Sequence, residues 1–304
     1  MAFTAKDVKE LRDKTGCGMM DCKKALTASD GDMEKALDFL REKGLATASK
    51  KADRVAAEGM AFAKASADGK TGVAVEVNAE TDFVAKNASF QEFVNICADT
   101  ILKENPADVD ALMKCKAAGS DQTVDEILKE KILTIGENIK VRRFVRMEGH
   151  VASYIHAGGK ICVLVNFDTT DEIAAKPEFA EMGKNIGMQI AAMNPQFLDD
   201  AHVPQSVLDR EAKIAREQAA ESGKPDNVIE KMITGKVKKA LKEICLVDQE
   251  YVKESKTSVS KYVASVGKTL GGKIAISDFA RFVTGEGIEK RKDDLAAEVA
   301  SMVK

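Results

Sequence analysis

An internal repeat constrains the fold of this 304-residue chain more than any other feature. Adding 90 to the residue number aligns a glycine–lysine turn, an apolar strand and an acidic–apolar pair with second copies. The aligned segments are Gly69–Lys70 with Gly159–Lys160, Val73–Val75 with Val163–Val165, and Asp82–Lys86 with Glu172–Lys176, and Phe90 follows with Phe179 at one residue fewer. Because strand, turn and helix all recur, we predict two similar α+β subdomains, each a small antiparallel sheet backed by helices.

Within the first copy, the segment Asn78–Asn87 joins a strand pattern to an amphipathic helix pattern. We call this stretch, N-A-E-T-D-F-V-A-K-N, the Phe83 segment. Asp82 and Phe83 place an acid beside a large apolar ring. One interpretation is local: Phe83 covers the core and Asp82 caps a helix. The repeat aligns Phe83 with Ile173, so the large ring occurs in only one copy, and this difference favours a functional role for Phe83.

The rest of the chain adds helical modules to the repeat. Three short helix patterns near the N-terminus, the last ending at Gly44, predict a compact domain that resembles a ubiquitin-associated domain. Two amphipathic patterns around a turn at 223–225 predict an antiparallel helical hairpin. This hairpin is a surface for homodimer formation, a surface for partner contact, or a solvated arm. We therefore predict an α+β fold with an N-terminal domain at 1–55, core subdomain N at 56–145, core subdomain C at 146–282 with the hairpin inserted at 206–245, and a C-terminal helical module at 283–304.

Several local patterns make narrower predictions. Ser89 with Glu92 is a capping-box sequence, so a helix is expected to begin there. Met19 and Met20 are adjacent and cannot face the same way on a helix, so one of them is expected to point outward. The segment Gly271–Lys273 is typical of a hairpin turn rather than of a loop that binds phosphate.

Composition argues against several classes of protein. The formal net charge of −3 argues against a general nucleic-acid-binding protein, which usually carries a basic surface. No apolar run approaches the roughly 20 residues that a membrane span requires. The N-terminus does not resemble a secretory signal, so we expect a cytoplasmic protein with six reduced cysteines. The chain lacks a GxxxxGK[ST] loop, so we do not expect it to bind nucleotide itself.

No catalytic constellation stands out in the sequence. The three histidines, His150, His156 and His202, do not pair with a serine or cysteine at a diagnostic spacing. Cys17 and Cys22 have no further His or Cys nearby that would complete a zinc site. We therefore expect no enzymatic activity, cofactor or metal, with a thiol enzyme that uses Cys22 as a weaker alternative.

Five motifs, in order along the chain, resemble the bacterial elongation factor Ts family, whose members are guanine-nucleotide exchange factors for elongation factor Tu. The motifs are L-R-D-K-T-G-C-G-M-M-D-C-K-K-A-L at Leu11–Leu26, T-D-F-V-A-K-N at Thr81–Asn87, I-G-E-N-I-K-V-R-R at Ile135–Arg143, S-Y-I-H-A-G-G-K-I at Ser153–Ile161 and G-E-G-I-E-K at Gly285–Lys290. Because they extend over most of the chain, the resemblance concerns the chain as a whole.

The resemblance implies that the chain binds factor Tu in its GDP-bound and nucleotide-free forms, displaces Mg²⁺ and promotes exchange of GDP for GTP. It implies that Phe83 inserts near the partner's Mg²⁺ site together with Thr81, Asp82 and Val84. The further contacts it implies are Arg12, Met19, Met20 and Ile135 on the partner's nucleotide-binding domain, His156 on a more distant domain, and the C-terminal module. The alternative function is a multivalent adaptor whose helical module binds a ubiquitin-like or ribosomal partner.

Overall fold

The computed structural model of the chain describes residues 3–220 and 226–289. These residues form two compact units. The first contains residues 3–62, 75–144 and 283–289, and the second contains the described residues of 63–74 and 145–282. The fold is mixed α+β, as predicted, and most of the predicted C-terminal helical module at 283–304 lies outside the described residues.

Both copies of the repeat are built in the same order: a hairpin, a short helix, a long helix and, later in the chain, a third strand. The strands are β1 Glu58–Ala65, β2 Thr71–Ala79, β3 Lys140–Glu148, β4 His150–His156, β5 Ile161–Asp168 and β6 Ala275–Val283. They form two three-stranded antiparallel sheets in the orders β1-β2-β3 and β4-β5-β6.

The helices of the first unit are α1 Ala5–Thr15, α2 Met19–Ala28, α3 Met33–Lys51, α4 Asp82–Ala85, α5 Ala88–Glu104, α6 Val109–Lys114 and α7 Val124–Ile135. Those of the second unit are α8 Asp171–Ala174, α9 Pro177–Met193, α10 Gln205–Ala220, α11 Asp226–Ile244 and α12 Val259–Leu270.

The N-terminal helices α1–α3 share a small core of their own, which includes Leu11, Cys22 and Leu26. The prediction that the third helix ends at Gly44 is wrong, because α3 continues to Lys51. A Cβ atom at Gly44 would lie 3.4 Å from the backbone carbonyl oxygen of Lys129 in α7. Glycine therefore serves the close approach of two helices here rather than a helix end.

Two other local predictions are also corrected. Helix α5 is capped by Asn87, whose Oδ1 accepts a hydrogen bond from the Ser89 backbone N–H at 2.8 Å, so Ser89 lies inside the helix. Glu92 instead pairs with Lys131, at 2.9 Å from Oε2 to Nζ. The glycines at 271–272 end α12 and lead into β6, and no hairpin forms there; Gly271 is the left-handed C-cap, with φ of +86°.

The amphipathic helix pattern that follows Asn87 in the sequence is confirmed by α5, whose apolar face packs on the core. Its fully buried apolar side chains are Phe90, Phe93, Val94, Cys97, Ala98 and Ile101. The pair α10 and α11, by contrast, has a thin core of its own, in which the buried residues are Ala215 and Ile233. A small apolar contact stabilises little, so the described side chains give this pair little burial to hold it together.

A fully buried carboxylate, Glu76 on β2, holds the turn at Gly285 in the first unit. Its oxygens accept hydrogen bonds from Arg142 Nη1 at 3.0 Å, Arg143 Nε at 2.6 Å and the Gly285 backbone N–H at 2.7 Å. Burial raises the pKa of Glu76, but the hydrogen bonds from Gly285, Asn78 and the two arginines outweigh it, so the pKa lies below its ordinary value. The buried charge is therefore paired rather than neutralised.

In the second unit, helix α9 packs closely on strand β4 because two of its residues are glycines. A Cβ atom at Gly183 would lie 2.5 Å from the Cβ of Ala152, and one at Gly187 would lie 2.5 Å from the Cβ of Tyr154. Neither neighbour is the flexible end of a side chain. The helix must move away from the strand if either glycine is replaced.

We expect Gly187→Ala to lower the free energy of unfolding by about 1–3 kcal/mol, the usual cost of overpacking. Urea denaturation followed by circular dichroism measures this change. Gly235→Ala is the matched control, because Gly235 also lies within a helix but has no heavy atom within 4 Å of the position of an added Cβ. That control is expected to stabilise α11 by up to about 1 kcal/mol. Equal effects of the two substitutions would contradict the packing account.

Candidate functional site

The Phe83 segment forms a short, tightly turned connection in the first unit. Strand β2 ends at Ala79, the four-residue helix α4 follows, and Asn87 then caps α5. Val84 points into the core and is 7% exposed, whereas its neighbour Phe83 is 77% exposed. The connection therefore has one apolar side chain that anchors it and one that faces solvent.

Phe83 is unusual among the aromatic residues of this protein. All twelve Phe and all three Tyr lie within the described residues, and Phe83 is the one among them that is exposed. Lys86 Nζ lies 6.0 Å from the ring centroid and 3.7 Å from Oδ2 of Asp82. Such surface pairs contribute little to stability. The ring therefore has an ammonium group as its charged neighbour, and the ion pair beside it does little to hold it in place.

The structure corrects the alignment of Phe83 within the repeat. Helices α4 and α8 each follow a threonine N-cap, and matching them requires a shift of 89 rather than 90. Phe83 therefore corresponds to Glu172, and buried Val84 corresponds to buried Ile173. The exposed position carries a charged residue in one copy and an aromatic ring in the other. Since a ring in water adds nothing to folding, the exposure of Phe83, and not its alignment with Ile173, favours a function.

A carboxylate from a distant part of the sequence holds the start of the Phe83 segment. Oε2 of Glu137 accepts hydrogen bonds from the backbone N–H groups of Glu80 and Thr81, both at 3.0 Å, and Oε1 accepts one from the Thr81 hydroxyl at 2.7 Å. Oε1 of Glu80 in turn accepts a hydrogen bond from the Asn138 backbone N–H at 2.6 Å. Glu137 lies within the motif at Ile135–Arg143, but no role was predicted for either glutamate. The sequence signal for Glu137 was its position directly after Gly136, the glycine that caps the C-terminal end of α7.

The predicted partner-binding residues of the first unit lie on the N-terminal helices and at the end of α7. Met19 and Met20 are 54% and 63% exposed, so the expectation that only one of them points outward is wrong. They are the first two residues of α2, and Arg12 is exposed in the last turn of α1. Ile135, partly buried, is the last residue of α7. It lies close in the chain to Glu137, whose bonds bring this region to the Phe83 segment.

His156 belongs to the second unit, at the end of β4. Its Nδ1 lies 3.1 Å from the hydroxyl oxygen of Tyr154, and that tyrosine packs against the backbone of α9 at Gly187. Ala157, which follows, has a φ of +49° in the hairpin turn. An exposed imidazole at a turn is thus oriented by a side chain that is itself fixed by packing.

The remaining candidate groups are used within the fold. The Cys22 thiol is buried, donates to the Cys17 carbonyl oxygen at 3.7 Å and has a pKa raised by burial, which disfavours a nucleophilic thiolate. His150 Nε2 lies 2.8 Å from Oδ1 of Asp171. In the part of the chain that the structure describes, no group of three or more His, Cys, Asp or Glu side chains could hold a metal ion. None of its helices is long and apolar enough to cross a membrane.

Comparison with known proteins gives a consistent result. The family model described as "Elongation factor TS" matches residues 80–286, which is more than half of the chain. The chain belongs to the elongation factor Ts family. The proteins named "Elongation factor Ts" from Trichlorobacter lovleyi and Syntrophotalea carbinolica are 52% and 50% identical to it, over 99% and 100% of this chain and 98% and 100% of their own. The protein of the same name from Paramagnetospirillum magneticum is 50% identical over 98% of this chain and 96% of its own.

Membership of the elongation factor Ts family assigns the chain a role in translation elongation. The matched residues 80–286 include most of the Phe83 segment, Glu137 and His156. The N-terminal helices with Arg12, Met19 and Met20 lie before the matched range, but the relatives cover them as well.

Proposed function

We propose that this chain is the guanine-nucleotide exchange factor that acts on elongation factor Tu. The observation that carries the proposal is the exposure of Phe83, at 77%, on a turn held by hydrogen bonds in a member of the elongation factor Ts family. A large ring gains free energy when a partner buries it, and aromatic residues often dominate the energy of an interface. The Phe83 segment is therefore the part of the chain that we assign to nucleotide release.

An exchange factor needs no nucleophile, because it changes affinities and breaks no covalent bond. It must bind the nucleotide-free partner more tightly than the loaded one, and the ratio of the two affinities equals the factor by which nucleotide binding weakens. A thousandfold weakening requires about 4 kcal/mol of differential contact. Mg²⁺ bridges the nucleotide phosphates in such partners, so displacing it is the effective point of action.

In this proposal Phe83 enters factor Tu near its phosphate and Mg²⁺ site. Thr81, Asp82 and Val84 complete the segment that shifts the elements holding the ion. The other contacts that we propose are Arg12, Met19, Met20 and Ile135 with the partner's nucleotide-binding domain, and His156 with a more distant domain. The chain then needs no cofactor or metal of its own and works in the cytoplasm, where translation takes place.

The release of a fluorescent GDP analogue from purified factor Tu tests the proposal. We expect the intact chain to accelerate release strongly at millimolar Mg²⁺. We expect the acceleration to shrink when the ion has already been removed with a chelator, because the step that the chain assists has then occurred. Unchanged release with retained binding would contradict the proposal and favour a multivalent adaptor for a ubiquitin-like or ribosomal partner.

We also propose that the thin α10–α11 pair is the surface for homodimer formation. Ile214 and Val228 are exposed apolar residues on these two helices. Sedimentation equilibrium measures the association, and we expect Ile214→Lys to weaken it. A monomer at all concentrations would remove this part of the proposal.

A further inference from the structure

We propose that Glu137 is a positioning residue for the Phe83 segment, an inference that rests on the exchange function proposed above. Three donors converge on its carboxylate: the backbone N–H groups of Glu80 and Thr81 and the hydroxyl of Thr81. Hydrogen bonds to a charged acceptor are stronger and more directional than neutral ones. Glu137 therefore fixes the backbone immediately before the exposed ring.

The short helix that carries Phe83 needs such external support. Helix α4 has four residues, and a helix of that length does not form unaided in water. Its N-cap residue, Thr81, would normally use its side-chain oxygen to accept a hydrogen bond from the helix, but no such bond forms. The hydroxyl instead donates to Glu137. The start of α4 is thus held by a side chain from another part of the sequence.

A second set of hydrogen bonds makes the arrangement reciprocal. Glu80 accepts from the backbone N–H of Asn138 at 2.6 Å, so each of the two segments supplies a carboxylate to the backbone of the other. The Asn138 side-chain amide, which is nearly buried, donates to the carbonyl oxygen of Arg54 at 2.7 Å. Three stretches of chain meet here: the exit from the N-terminal helices, the Phe83 segment and the turn after α7. The orientation of Phe83 is therefore coupled to the turn that contains Glu137.

Glu137→Gln changes this arrangement with little change in size. A glutamine has one acceptor oxygen, and its NH₂ group would face N–H or O–H donors. We expect the maximal exchange rate on factor Tu to fall about tenfold, the size that follows from losing a charge-assisted hydrogen bond. The half-saturating concentration should stay within about twofold, because the other contact residues are unchanged.

Glu126→Gln is the matched control. Glu126 also accepts hydrogen bonds at the start of a helix, from the backbone N–H of Thr123 at 2.7 Å and its hydroxyl at 3.1 Å, but it caps α7 and has no bond to the Phe83 segment. Both substitutions should shift the melting temperature to a similar degree. Only Glu137→Gln should lower the maximal exchange rate. If the control lowers it as much, the role of Glu137 is merely structural and the inference is overturned.

A double-mutant cycle with Phe83→Ala separates this inference from the exchange function itself. If Glu137 acts through the ring, Glu137→Gln should have almost no further effect in the Phe83→Ala background. Suppose that Phe83→Ala lowers exchange. If Glu137→Gln then has no effect on the wild-type chain, or lowers exchange by the same factor in both backgrounds, Glu137 is not a positioning residue, while the exchange function stands. If Phe83→Ala itself has no effect, the proposed function of the segment fails first.

Should Glu137→Gln not fold, Thr81→Val removes one of the three donors at constant shape and must show the same coupling, at about threefold.

Discussion

Replacing Phe83 by alanine is expected to slow nucleotide exchange on factor Tu by about 100-fold, since losing a buried aromatic anchor costs on the order of 3 kcal/mol at an interface. The melting temperature of the free chain should change little, because the ring is 77% exposed and contributes little burial to its own unit. The exchange rate at saturating factor Tu, followed by fluorescent GDP release, measures the effect. A loss of exchange without a loss of stability would identify the ring as a contact residue.

Leu45→Ala is the control for this experiment. Leu45 is also a large exposed apolar residue of the first unit, on α3, and the proposal gives it no role. We expect the Leu45→Ala chain to exchange nucleotide at the wild-type rate. A similar slowing in both variants would show that general surface apolarity, rather than the ring at position 83, drives the interaction.

Removing the buried carboxylate of Glu76 is expected to have the largest effect on stability. Glu76→Ala leaves Arg142 and Arg143 facing a buried site without their anion, and breaking such a pair on one side costs about 3–5 kcal/mol. The turn at Gly285 also loses the acceptor of its backbone N–H. Urea denaturation gives the free energy, and limited proteolysis near residue 285 reports the release of that turn. A cost below about 1 kcal/mol, as for a surface pair, would contradict this account.

The contribution of Glu76 should also depend on pH in a defined direction. Its folded-state pKa is lowered, so its stabilising effect is fully present above the unfolded value of about 4.3 and is lost as pH falls towards the folded value. The stability difference between wild type and Glu76→Ala should therefore narrow on acidification below about pH 4. Glu148→Ala is the control. Glu148 is exposed, so its ion pair with Arg146 should contribute less than about 1 kcal/mol to the free energy of unfolding at any pH.

Periodicity predicted the repeated elements, because each buries an apolar face that the sequence displays directly. The amphipathic pattern of α5 was predicted in this way, and the repeat predicted the second-copy strand at Val163–Val165, which lies within β5. The end of α3 was not, because Gly44 serves a contact with Lys129 of α7, and local sequence does not show which helices will meet. The predicted start of α5 at Ser89 was wrong because Asn87, two residues earlier, can also cap a helix and does so in the structure.

The candidate site divides in the same way. The acidic and apolar residues at positions 82 and 83 could be found from the sequence, because they stand out between a strand and a helix. Their placement in the repeat was wrong, since a one-residue shift before α4 changes which residue corresponds to Phe83. The role of Glu137 was not predicted. Its hydrogen bonds join residues that are separated by 56 and 57 positions in the chain, and such long-range contacts leave no periodic pattern in a single sequence.

The central claim is that Phe83 leaves solvent to enter factor Tu beside its Mg²⁺ site. A crystal structure of the chain bound to nucleotide-free factor Tu tests it most directly. We predict that the Phe83 ring is fully buried between partner side chains next to the vacated Mg²⁺ position, with Glu137 still bonded to Thr81. A complex in which the ring remains in solvent, or turns back onto its own unit, would contradict the account.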